Sequence, residues 1–133
     1  MTTRANCYNT GIASEYLIMS HLFRLEIESY LSLGNEKSID IRAFKNDGTP
    51  ISIDVKSVRG YSSLVVNNIE SKIDHFIVFV IYKNKFSDLT SLPDIFIVPS
   101  TNLPKITSQW KDQKRVMKSS LIEYQNKWNN LIS

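Results

Sequence analysis

The chain reads as an α/β (α+β) domain, a central mixed β-sheet that contains an antiparallel hairpin and is flanked by helices. Three observations predict this class. Apolar residues recur at helical spacing from Ile12 onward. Two alternating segments are joined by Asn46-Asp47-Gly48, which is a hairpin signature. Two later runs, Phe76–Tyr82 and Asp94–Val98, are apolar and rich in valine and isoleucine, as strands covered on both faces are.

The elements follow in order. Asn9 or Thr10 would cap a helix that begins near Gly11. Ile12, Tyr16, Met19, Phe23, Ile27 and Tyr30 form its stripe, and Gly34 is the expected stop, about twenty residues on. Over Ser38–Lys45, Ile39, Ile41 and Ala43 alternate with Asp40, Arg42 and Phe44. After the turn, Ile51, Ile53 and Val55 alternate with Ser52, Asp54 and Lys56. Gly60 ends that strand, and Tyr61–Val66 is expected to form another. The segment 101–118 has no clear period. It holds Pro104 and gathers Lys105, Lys111, Lys114, Arg115 and Lys118 against one acid, Asp112. Ser120 and Glu123 form a capping box before a last helix striped by Leu121, Tyr124, Trp128 and Leu131.

Composition bounds the function. A length of 133 residues suits a single domain spanning 1–133, and 42% hydrophobic with 22% charged residues is ordinary for a globular chain. One cysteine, Cys7, excludes a disulfide framework and a multi-cysteine zinc finger. His21 and His75 are too few for a three-histidine metal site and lack ligand spacing. The polar N-terminus carries no apolar signal core, and the longest apolar run is too short to cross a membrane. The expectation is a soluble domain of a reducing compartment, the cytoplasm. The net charge of +3 is unevenly spread: residues 1–70 hold seven basic and eight acidic groups, residues 71–133 nine and five. A basic second half suits a polyanion.

The acids of the first half resist a purely structural reading. A three-residue loop closed by a left-handed glycine pairs Lys45 with Thr49 and, along the ladder, Asp40 with Asp54. Their β-carbons would then lie about 4.5–5.5 Å apart on one face, where like charges destabilise a sheet. A divalent cation between them reverses that sign. Lys56, two residues beyond Asp54, shares the face. A four-residue loop would instead place the two aspartates on opposite faces. Glu15 has Ile12, Ile18, Met19 and Leu22 as helical neighbours, an uncommon setting for a carboxylate unless it sits at the margin of the stripe.

Glu15 in GIASEYL, Asp40 in SIDIRAF, and Asp54 with Lys56 in ISIDVKSV together resemble the PD-(D/E)xK nuclease superfamily. The likeness runs from residue 10 to about residue 100, is fold-level, and is nearest to small stand-alone members such as Holliday-junction resolvases, with a restriction endonuclease-like fold. Ile39 stands where the family pattern has proline, and the second acid is aspartate. The resemblance implies a magnesium-dependent endodeoxyribonuclease in which manganese can substitute. Asp40, Asp54 and the Val55 carbonyl would hold the ion, with Glu15 binding through water or holding a second ion. Lys56 would polarise the attacking water. DNA would be held at Arg59, Lys111, Lys114, Arg115 and Lys118, with Arg4, Arg42 and Lys45 as further cations. Tyr61 and Trp110 could stack on bases, whereas Trp128 belongs to the helix stripe and so to the core. A homodimer would place two sites on two strands. The alternatives are a non-catalytic nucleic-acid- or protein-binding module on the same scaffold and a small regulator, such as an immunity or antitoxin partner.

Overall fold

The computed structural model describes residues 3–32, 40–61, 63–67 and 69–132, with the side chains of 3–7 and of 110 set aside. The expectations for Gly34, Ser38 and Ile39, and for the side chains of Arg4, Cys7 and Trp110, lie outside the described residues.

One long helix, α1 (Thr3–Arg24), precedes a five-stranded sheet. The strands are β1 (Ser29–Leu31), β2 (Ile41–Phe44), β3 (Pro50–Val58), β5 (His75–Ile81) and β6 (Asp94–Pro99), in the spatial order β1-β2-β3-β5-β6. The sheet is mixed: β3 and β5 run parallel, while the other neighbours are antiparallel. A second sheet, β4-β8-β7, is built from β4 (Leu64–Val65), β7 (Thr107–Trp110) and β8 (Gln113–Val116). Short helices α2 (Leu103–Ile106) and α3 (Asn129–Ile132) complete the chain. The central sheet thus separates two cores. Ile18 and Leu22 of α1 join Ile41, Ile53, Val78, Val80 and Ile97 on one face. Ile77, Phe79, Phe96 and Val98 meet Leu64, Val66, Leu103, Val116 and Leu121 on the other. Every residue of β5 is buried, as its unbroken apolar run requires. Among the described residues no helix is long and apolar enough to cross a membrane.

The hairpin has the expected three-residue loop. Lys45 N–H donates to the Thr49 carbonyl (2.9 Å), Gly48 takes φ +88°, and the Asp47 carboxylate accepts from Thr49 N–H (2.9 Å). Ile41 pairs with Ile53 and Phe44 with Pro50; the regular ladder ends there, and Asp40, just before β2, donates its N–H to the Ile53 carbonyl (2.8 Å) rather than pairing with Asp54.

The first helix departs from its expected bounds at both ends. It starts at Thr3, so Asn9 and Thr10 are interior rather than capping residues. It stops at Arg24 because Glu26 enters the left-handed region (φ 63°). Glu26 N–H then reaches the Phe23 carbonyl and Ile27 N–H the Leu22 carbonyl, a Schellman arrangement. Tyr30, expected on the helix, lies instead in β1. The buried face is also displaced. Thr10, Ser14, Ile18 and Leu22 are buried, whereas Tyr16 and Phe23 are more than half exposed. The expected closing helix is interrupted as well. Lys118–Ser120 and Ile122–Tyr124 form 3-10 turns, and Asn126 adopts φ 55°. Gln125 bridges to Phe96 and Asn126 N–H donates to the Ile95 carbonyl, so the chain crosses the edge of the sheet there. Leu121 consequently serves one core and Leu131 the other.

Candidate active site

Asp54 sits in the middle of β3, between a strand on each side, and is 2% exposed. Alternation in β3 sends Ile51, Ile53 and Val55 towards α1 and turns Asp54 and Lys56 to the opposite face. Asp40 enters from the start of β2, where its N–H donates to the Ile53 carbonyl (2.8 Å). Its carboxylate Oδ2 accepts from the Val55 N–H (2.7 Å). That bond fixes Asp40 beside Asp54. Lys56 Nζ lies 3.5 Å from Asp54 Oδ2, close enough for an ion pair. Asp54 Oδ2 nevertheless has no hydrogen-bond partner although it is buried. A buried carboxylate oxygen that has only a long ion-pair contact and no hydrogen bond is expensive in a folded chain.

The electrostatics follow from this geometry. Burial first, and then the neighbouring Asp40 carboxyl, push the Asp54 carboxyl up to about 7, with Lys56 offsetting only part of the effect. Glu15, half-buried on α1, is also raised, first by burial and then by the charge of Asp40. Glu15 therefore stands within electrostatic reach of Asp40. Among the described residues no three Asp, Glu, His or Cys side chains gather closely enough to enclose an ion. The donor set on offer is two carboxylates and the adjoining Val55 backbone. That composition fits magnesium, which commonly takes one or two carboxylates and keeps several waters.

The expected DNA-holding cations divide into two groups. Arg59 donates through Nε to Thr10 Oγ1 (2.7 Å) and stacks over Phe86 (4.0 Å). Arg115 clasps Gln113 Oε1 through Nε and Nη2 (3.1 and 2.7 Å) and Ser63 Oγ through Nη1 (2.9 Å). Lys118 pairs with Asp94 (3.0 Å) and lies over Tyr61. Lys111 and Lys114 are exposed on the β7–β8 hairpin and make no ion pair among the described residues. Lys45 pairs with Asp74. Trp128 stacks on His21 with ring centres 5.2 Å apart, in keeping with a packing role.

Two polar groupings escaped the sequence reading. Ser14 donates to the Thr10 carbonyl (2.6 Å) and meets the Tyr82 hydroxyl (2.9 Å), which ties α1 to the end of β5. Ser52 Oγ and His75 Nδ1 are 2.7 Å apart, with both residues buried. The four-residue spacing Thr10–Ser14–Ile18–Leu22 was the available signal for the first. The second needed the parallel register of β3 and β5, which local sequence does not carry.

This architecture is shared with a nuclease. The solved structure of a bacterial homing endonuclease, I-Ssp6803I, is similar with a TM-score of 0.64 over 92% of this chain and 88% of that chain. Sequence identity is 12%, so the likeness is one of fold. No protein-family model matches the chain, and no curated protein is matched by sequence.

Proposed function

We propose that this chain is a metal-dependent endonuclease that hydrolyses DNA phosphodiester bonds, with a site of the PD-(D/E)xK type. The observation that carries the reading is the buried Asp54 carboxylate of β3, with Asp40 bonded to the next residue of that strand and with Lys56 Nζ 3.5 Å from an Asp54 oxygen that has no hydrogen-bond donor. Two neighbouring carboxylates destabilise a sheet unless one of them is protonated or a cation lies between them. The shared fold with a homing endonuclease supports the same choice.

Asp40 and Asp54 would hold a magnesium ion together with the Val55 carbonyl, and manganese would serve in its place. When bound, the ion supplies positive charge against the scissile phosphate and acidifies a water. Asp40 is already oriented by the Val55 N–H, so it loses little freedom on binding. Glu15 would hold a water at the rim. Lys56 is paired to Asp54 in the free protein. Released from that pair, its ammonium would orient the attacking water and stabilise charge developing on the phosphate.

The test is a substrate panel. Folded protein is incubated with plasmid, single-stranded and branched DNA in magnesium and in manganese. Cleavage of at least one substrate, abolished by chelation, is expected. Intact DNA in every arm would contradict the reading and favour a non-catalytic module on the same scaffold.

A further inference from the structure

The small sheet lies on the same side of the central sheet as Asp54. Asp54 and Lys56 are the partners of Ile77 and Phe79 in the parallel ladder, so the four side chains share a face. Leu64, Val66 and Val116 of the small-sheet region cluster with Ile77 and Phe79 on that face. A duplex approaching Asp54 on this face would meet the small sheet.

The tip of that sheet, beyond the Gln109–Lys114 pair, is a two-stranded antiparallel turn of β7 and β8 closed at Lys111 and Asp112, with Lys111 at φ 55°; at Lys114 the third strand is still attached, through Val66 N–H to the Lys114 carbonyl (2.8 Å) and Lys114 N–H to Asn67 Oδ1 (2.9 Å). Val116 anchors its base in the core, while Gln109, Lys111, Asp112 and Lys114 near the tip are exposed. Arg115 and Lys118 are committed to internal partners, but Lys111 and Lys114 are not. Gln109 and Lys114 are cross-strand partners and line a cleft of about 230 Å³ with Ser71 and Thr107. Gln109 Nε2 donates to the Lys111 carbonyl (2.8 Å). That bond holds the carboxamide and leaves one N–H and the side-chain oxygen as an adjacent donor and acceptor.

We infer that the β7–β8 ribbon is the element that reads DNA sequence, entering the major groove with Gln109 against base edges and Lys111 and Lys114 against flanking phosphates. The inference rests on the nuclease reading for its choice of DNA as partner. The major groove admits a two-stranded ribbon, and a glutamine donor–acceptor pair matches the edge of adenine. Lysines without ion pairs meet phosphate without first breaking an internal contact. Asp112 at the turn disfavours phosphate and matches an exposed amino group in the groove.

The test uses the full chain without divalent ions. Binding to a mixed-sequence duplex is measured across a salt series, and preferred sites are selected from a randomised duplex pool. Lys111→Ala with Lys114→Ala should weaken binding to all sequences and lower the logarithmic salt slope by about two. Gln109→Ala should leave that slope intact and lose roughly tenfold preference at one base position. An unchanged slope in the double variant, or an unchanged selection profile in Gln109→Ala, overturns the inference. So does a wild-type chain that binds no duplex at low salt. The nuclease reading is judged separately: a chain that shows the expected ribbon effects but never cleaves in magnesium retains the ribbon as a reader and loses the catalytic assignment.

Discussion

Asp54 is 2% exposed, carries an oxygen without a hydrogen-bond partner, and faces a second carboxylate and one lysine. Its carboxyl is raised from 3.8 to about 7, with burial as the main cause. The linkage sign follows: the folded chain holds a proton that the unfolded chain releases between these values, so stability falls as pH rises from about 4 to about 7. On the order of 4 kcal/mol depends on that proton. Asp54→Asn removes the ionisation and keeps the shape. Its melting temperature should exceed that of the metal-free wild type at pH 8 and approach it at pH 4. Buried His75 works in the other direction, being lowered by burial and then by Lys72. Its contribution is present above about 6.5 and is lost as pH falls. Both proteins carry His75, so their difference isolates Asp54. Equal melting temperatures at pH 8 would remove the electrostatic account of the site. A residue that costs stability where it stands is the usual mark of function.

At the scale of elements, the hairpin was the most legible part of the sequence. Asn46-Asp47-Gly48 specifies both its loop length and its register from Phe44–Pro50 to Ile41–Ile53, and beyond that pair the Val55 N–H, held by the Asp40 carboxylate, brings Asp40 beside β3. Gly48 supplies φ +88° with open space where a Cβ would stand. Gly48→Ala should therefore cost about 1 kcal/mol through backbone strain, read as a lower urea midpoint with an unchanged slope. The helix was legible in existence and type but not in face. Ile12, Tyr16 and Phe23 have helical spacing, yet the sheet takes Ser14, Ile18 and Leu22, because Ser14 finds a partner in Tyr82. Ile18→Ala should cost about 2–5 kcal/mol, while Tyr16→Ala should fall within about 0.5 kcal/mol of wild type. The reverse order would restore the face read from periodicity. Its termini were illegible because Glu26 takes the left-handed stop that glycine usually takes. The closing helix was misread for a tertiary reason: Gln125 and Asn126 bond to β6, and a local capping box carries no trace of that edge.

Across the whole molecule, two sheets and one long helix surround the acidic pair with different chemistry on each side. The helix face supplies Glu15, and the opposite face brings up the small sheet with its exposed lysines. The segment 101–118 gave no periodic signal because its strands are short and pair partly with Leu64–Val65, some fifty residues earlier. The basic excess of the second half was visible, but its division was not. Arg115 and Lys118 look like Lys111 and Lys114 in the sequence, and only the positions of Gln113, Ser63 and Asp94 separate them. Order and spacing single out Glu15, Asp40, Asp54 and Lys56 as candidates, whereas the burial of Asp54 has no local signal, since it depends on the completed sheet.

The most direct measurement of the central claim compares cleavage of one end-labelled DNA substrate by wild type, Asp54→Asn and Lys56→Ala in a magnesium titration, with folding of each protein checked by circular dichroism. Wild type should cleave with a saturable dependence on magnesium. Asp54→Asn should lose at least a hundredfold in rate and the saturable response, and Lys56→Ala should lose a similar factor in rate while still responding to magnesium, each roughly 3 kcal/mol of transition-state stabilisation. Cleavage by both folded variants at the wild-type rate would contradict the assignment of Asp54 and Lys56 to the site.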